Sequence, residues 1–115
     1  MKRSSELYLQ DVLTAIKNIQ LYTAGYTAVK LSKDQKTTDA VMRNLEVIGE
    51  AATQLSEELK KKYPDVPWRD IQDFRIVTAH HYWKINIERV WDIIENKLNL
   101  LKHYVENILQ DRKVG

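Results

Sequence analysis

An all-α fold, an antiparallel bundle of four to five helices, is what this 115-residue sequence predicts. Three observations carry it. Glycine and proline number only three and two, too few for the many turns of an all-β domain. Glu, Lys, Leu, Ala and Gln are plentiful, and these residues favour helix. Apolar residues recur three and four apart in four segments, which places them on one face of each. A chain of this length suits one domain, 1–115, with a modest core, and a second copy would add buried area.

The first segment carries Leu9, Val12, Leu13, Ile16 and Ile19 at helical spacing. Ser4 or Ser5 is positioned to cap its start, and the pattern weakens at Gly25. The polar stretch from Leu31 to Asp39 holds two start signals. Ser32 with Gln35 has capping-box spacing, and Thr37 or Thr38, with Asp39 behind it, is the other option. The second helix follows, with Val41, Leu45, Ile48, Ala52, Leu55 and Leu59 stepping by four and three as one uninterrupted buried face. Gly49 within it costs roughly 1 kcal/mol relative to alanine, so close helix packing is the expected reason for it.

Tyr63-Pro64-Asp65-Val66-Pro67 is the clearest break. Proline disfavours helix in the residue before it and suits a helix's first turn. A third helix is predicted from about Trp68 to about His81, with Ile71, Phe74 and Thr78 inward. Trp83 to Asn86 reads as a connection, with Asn86 the N-cap of the last helix. That helix shows a stripe of Ile87, Trp91, Ile94, Leu98, Leu101, Val105 and Ile108, flanked by Val90 and Ile93. Its tail, Asp111 to Gly115, is expected to fray.

Composition excludes several functions. Cysteine is absent, which removes disulfides and thiolate metal sites and fits a reducing cytoplasm. No apolar stretch approaches the ~18 residues of a membrane span. Met1 to Gln10 has basic residues but no apolar h-region, so no secretory signal is expected and the location is read as cytoplasmic. Lys plus Arg number 18 against 16 Asp plus Glu, a net charge of +2. That is no strong nucleic-acid footprint, so any RNA contacts must be local or come from a dimer groove.

The densest chemistry lies in Arg75-Ile76-Val77-Thr78-Ala79-His80-His81-Tyr82. Arginine stays charged and holds a phosphate with two parallel hydrogen bonds. Histidine moves a proton near neutral pH. Together they are a minimum set for cleaving RNA without a metal: one group assists 2′-hydroxyl attack or protonates the leaving oxygen, and the other offsets transition-state charge. On a regular helix Tyr82 falls within about 20° of Arg75, whereas His80 is turned about 140° and His81 about 120° the other way. Arg75 and His80 therefore converge only if the helix distorts or if two protomers share a site, and the shared site is the simpler arrangement.

The pattern Arg-x4-His-x-Tyr, here Arg75, His80 and Tyr82, resembles the signature of HepT-type proteins of the HEPN superfamily. Three further stretches agree with that family in order along nearly the whole chain. Asn44 to Ala51 resembles its Asn-Leu-Glu-x-Ile-Gly-Glu-Ala segment. Pro67-Trp68-Arg69-Asp70-Ile71 resembles its Pro-Trp element, and Val90-Trp91-Asp92-Ile93-Ile94 its closing Val-Trp element. The resemblance implies a helical bundle that forms a homodimer, with the paired motifs facing a cleft between protomers. It implies a metal-independent endoribonuclease, a toxin of a type VII-like toxin–antitoxin pair. Arg75 and His80 would be catalytic. The implied partner is an MntA-like minimal nucleotidyltransferase antitoxin that transfers AMP from ATP to Tyr82. Phosphate added beside Arg75 would occupy its anion site and repel RNA.

One position departs from the family, which usually has a polar residue, most often Asn, after the motif arginine; here it is Ile76. An alternative follows: a non-catalytic helical subunit that binds or regulates a nucleotidyltransferase. No glycine-rich phosphate loop is present, so ATP belongs to the partner, and no cofactor or metal is expected. Glu46 and Glu50, one helical turn apart, read as a solvated face that could also border the cleft with His81. Trp68, Trp83 and Trp91 read as core or interface aromatics. His103 and Lys60-Lys61-Lys62 read as cations near helix C-termini.

Overall fold

The structure is a computed structural model describing residues 3–75 and 86–114. Every regular element among the described residues is a helix, and none is a strand. Helix α1 spans Ser5–Tyr22, α2 Ala28–Ser32, α3 Gln35–Thr53, α4 Glu57–Lys62 and α5 Trp68–Gln72. Helix α6, Ile87–Asp92, runs through a π-helical turn, Ile93–Lys97, into α7, Leu98–Val114.

Helix α1 packs along α3, and α7 packs against α1; α5 lies on α3, and α2 bridges α3 and α6. Each contributes to one core. Leu9, Ile16 and Ile19 meet Leu31, Val41, Leu45 and Ile48, with Val90, Leu98, Val105 and Ile108 closing the other side. Leu13, expected in the α1 stripe, is only half-buried, and Ala15 is buried instead. A polar link joins the two central helices: the Asn18 amide donates to Asn44 Oδ1 at 3.2 Å, and the Asn44 amide donates to the Ala40 carbonyl at 2.8 Å.

Several expected boundaries hold. Ser4 caps α1 by accepting from the Leu7 amide, and Asn86 caps α6 by accepting from the Arg89 amide at 3.1 Å. After α1 the chain turns at Gly25, which takes φ +76°, a left-handed conformation suited to glycine. Lys60, Lys61 and Lys62 do occupy the last turn of α4, where cations meet the helix dipole favourably.

Others are corrected. The polar stretch after Gly25 contains a short helix, α2, capped by Thr27. Helix α3 is capped neither by Ser32 nor by Thr37 or Thr38, but by Asp34, whose carboxylate accepts from the Thr37 amide at 3.1 Å. Thr38 is buried and donates to the Leu31 carbonyl at 2.8 Å. The second predicted helix is two helices. It stops at Thr53 and restarts behind Ser56, which accepts from the Leu59 amide. Leu55 in the joint and Leu59 beyond it are buried as the periodicity predicts, so the apolar rhythm outlasts the helix.

The last helix departs most. Val90 and Ile93 are buried, while Ile87, Trp91 and Ile94 are only partly so. The next buried residue after Ile93 is Leu98, five positions on. On a regular helix five residues turn about 140° off the face. The π turn removes that offset, because the Leu98 amide bonds the Ile93 carbonyl, an i→i+5 closure that accommodates one extra residue. Helix α7 reaches Val114, Arg112 pairs with Glu6, and the Tyr63 hydroxyl donates to Asp111 at 3.2 Å. His103 consequently sits well inside α7 and not at its end.

Candidate active site

Helix α3 builds one wall of the site. Its buried positions, Leu45, Ile48 and Ala52, lock it into the core. The same periodicity leaves Arg43, Glu46 and Glu50 on an outer flank, facing α1. There Tyr8 and Asp11 of α1 meet Arg43, Glu46, Val47 and Glu50 of α3 around an open groove of about 240 Å³. Glu46 pairs with Arg43 at 3.8 Å, one turn back along the helix. The two glutamates are therefore matched to separate arginines, Glu46 to Arg43 and Glu50 to Arg75.

Arg75 arrives from the other side. Helix α5 starts behind Pro67, and Trp68 anchors it by donating its indole N–H to the Tyr63 carbonyl at 3.0 Å. Ile71 and Phe74 are buried against the core, so the intervening and following residues face outward. Arg75, directly after Phe74, is exposed, and its guanidinium lies 3.7 Å from Glu50. With both side chains roughly half-exposed, 44% and 56%, this ion pair is solvent-screened and weak.

Gly49 makes that meeting possible. A Cβ there would lie 2.6 Å from the Arg75 amide nitrogen, 2.9 Å from the Arg75 Cβ and 3.0 Å from the Gln72 carbonyl oxygen. Only glycine lets α3 approach this backbone so closely. The close packing expected of Gly49 is thus found, and its target is the motif arginine.

The structure therefore brings together Arg75, Glu50 and, along the same groove, Glu46. Ile76, His80, His81, Tyr82 and Trp83 lie outside the described residues. Periodicity and motif matching do not point to the Asn18–Asn44 link or to the way Gly49 seats Arg75. The nearest signal is a lone glycine in a strong helical pattern next to a glutamate.

The family segments acquire physical roles. In Asn44 to Ala51, Asn44 ties α3 to α1, Leu45, Ile48 and Ala51 fill the core, and Gly49 and Glu50 receive Arg75. In Val90 to Ile94, Val90 and Ile93 are buried and Trp91 donates to Glu95 at 3.0 Å as the chain enters the π turn. Arg75, exposed and 3.7 Å from the groove-lining Glu50, carries a guanidinium of the kind that can hold an anionic ligand. Among the described residues no helix is long and apolar enough to cross a membrane.

Comparison with known proteins identifies the family. Residues 12–108 match the family model described as "Ribonuclease HepT-like". The chain is 42% identical over 111 residues to a "putative RNase" of Methanocaldococcus jannaschii, covering 96% of this chain and 91% of that protein. It is 32% identical over 108 residues to a "probable ribonuclease HepT" of Thermococcus cleftensis, covering 94% of this chain and 98% of that one. No solved structure gives a significant match. With these segments in these places and a match across most of its length, the chain belongs to the HepT-like ribonuclease family of the HEPN superfamily.

Proposed function

We propose that this chain, as a single domain, is a metal-independent endoribonuclease and the toxin of a type VII-like toxin–antitoxin pair. The observation that carries the reading is Arg75: exposed beside a groove, yet fixed in the fold by contact of its backbone with Gly49. Arg75 holds the scissile phosphate and offsets its developing charge. His80 transfers the proton, either from the attacking 2′-hydroxyl or to the leaving 5′-oxygen. The 2′-oxygen bonds to phosphorus as the 5′-oxygen departs, which leaves a 2′,3′-cyclic phosphate and a 5′-hydroxyl. Two copies form the working unit: were the chain a regular helix from Arg75 onward, His80 would be turned about 140° from its own Arg75, and a shared site removes that offset.

The partner is a minimal nucleotidyltransferase that binds ATP. The Tyr82 hydroxyl attacks the α-phosphorus, pyrophosphate leaves, and the tyrosine carries AMP. The added phosphate then competes for Arg75 and repels RNA. The experiment is cleavage of RNA by the purified chain with EDTA present, alongside Arg75→Ala and His80→Ala, with intact masses taken before and after treatment with partner and ATP. Both variants are expected to lose cleavage at least about a hundredfold, and the AMP adduct to vanish in Tyr82→Phe.

A second reading is favoured by Ile76, an apolar residue where the family carries a polar one. In it the chain is a non-catalytic subunit of the nucleotidyltransferase. A folded wild-type dimer that binds the partner tightly but leaves varied RNAs intact decides for this second reading.

A further inference from the structure

Gly49 and Glu50 are consecutive on α3, so their side-chain directions differ by about 100°. Both meet the same residue at different points. Gly49 lies against the Arg75 backbone, where an added Cβ would come within 2.6 Å of its amide nitrogen. Glu50 faces the far end of that side chain, with its carboxylate 3.7 Å from the guanidinium. Glu46, one turn earlier on the same flank, pairs with Arg43 instead.

The geometry points to Glu50 as a positioning residue that orients the Arg75 guanidinium at the groove before an anionic ligand arrives. This deepens the reading of Arg75 as the phosphate-holding group and rests on it. A long arginine side chain loses rotamer freedom when it grips a phosphate. A partner that already restricts it reduces the loss left for the binding step. The pair must also be weak enough to yield. At 3.7 Å and half-exposed it is an ion pair without a hydrogen bond, readily displaced by a phosphate that offers two charge-assisted bonds. Backbone and head are held by different means: the Gly49 packing persists through a catalytic cycle, whereas the Glu50 pairing gives way to ligand and re-forms.

The test reads the arginine itself. In uniformly 15N-labelled full chain, the Arg75 Nε–H signal is assigned by its loss in Arg75→Lys, and its relaxation is compared across Glu50→Ala and Glu50→Gln. The head is expected to become more mobile in Glu50→Ala and to recover partly in Glu50→Gln, which keeps the size and an acceptor oxygen. Cleavage by Glu50→Ala is expected to show KM higher by about fivefold with kcat little changed, since the ordering of Arg75 is then left to the binding step. Unaltered Arg75 relaxation in folded Glu50→Ala overturns the inference. So does a lower KM at constant kcat, which would make Glu50 a competitor of RNA. Should the wild type cleave no RNA while Arg75 loosens as expected, the positioning role stands and the nuclease reading fails.

Discussion

Helix α3 and the rod formed by α6 and α7 both bury an apolar stripe, but only α3 does so in unbroken α register. Along α3 the buried residues Val41, Leu45, Ile48 and Ala52 repeat by four and three. Along the rod the stripe jumps from Ile93 to Leu98, and the π turn absorbs the extra residue. The first region carries the groove and seats Arg75. The second follows the segment that holds the rest of the motif. The contrast shows that a buried face, and not helical regularity, is the conserved physical requirement within one chain: regularity is one solution, and a local rewinding is another.

One-residue deletions probe this contrast most strongly. Removing Val47 turns everything after it by about 100° relative to what precedes it, which carries Ile48, Ala51 and Ala52 out of the core. The cooperative thermal transition seen by circular dichroism is expected to disappear. Removing Asn96 instead brings Ile93 and Leu98 to a spacing of four, which a plain α-helix satisfies. That variant is expected to fold, with Tm lower by about 5–10 °C, on the order of 1–2 kcal/mol for a chain of this size. Equal collapse of both variants would break the comparison.

A smaller effect is expected from Gly49→Ala. Alanine gains about 1 kcal/mol in helix propensity, but a Cβ 2.6 Å from the Arg75 nitrogen demands a backbone shift, and such overpacking costs about 1–3 kcal/mol. A net loss of stability is expected in denaturant titration. Cleavage at a permissive temperature is expected to fall by more than the unfolded fraction, since the displaced group is Arg75. Stability above wild type would show that α5 moves aside without strain.

The smallest effect is electrostatic, at the start of α3. The Tyr26 hydroxyl, at 2.6 Å, followed by the Thr37 hydroxyl and amide, holds the Asp34 carboxyl at about 2, below its ordinary 3.8. A depressed folded-state value stabilises the fold above the ordinary value, and the contribution is lost as pH falls through the depressed one. Between about pH 4 and pH 2 the wild type is therefore expected to lose stability that Asp34→Asn lacks throughout, measured as converging acid-denaturation curves. Parallel curves would remove Asp34 from the account.

How much was legible in the sequence follows from the same physics. The all-helical fold and the core residues of α1 and α3 were readable because burial imposes periodicity. The motif and its flanking segments were readable from resemblance. The Asp34 cap was missed because Ser32 and the paired threonines compete for the same role, and the choice depends on where Leu31 is buried. The break at Gln54 was hidden because Leu55 and Leu59 keep the apolar rhythm through it. The π turn was invisible because Ile87, Trp91 and Ile94 offer a regular stripe of their own. At the site, Arg75, Glu46 and Glu50 are legible as candidates. The pairing of Arg75 with Glu50 is not, since it depends on a contact between Gly49 and a segment far from it in sequence.

The pairing of Glu6 with Arg112 has a practical consequence for the architecture. It brings the two ends of the described chain side by side, so a short linker joining them would span little distance. New termini opened between α4 and α5, after Pro64, would then give a circular permutant with every helix intact. Fluorophores attached near Glu6 and Arg112 would report on the same corner of the molecule, which makes their separation a direct gauge of whether α7 stays docked.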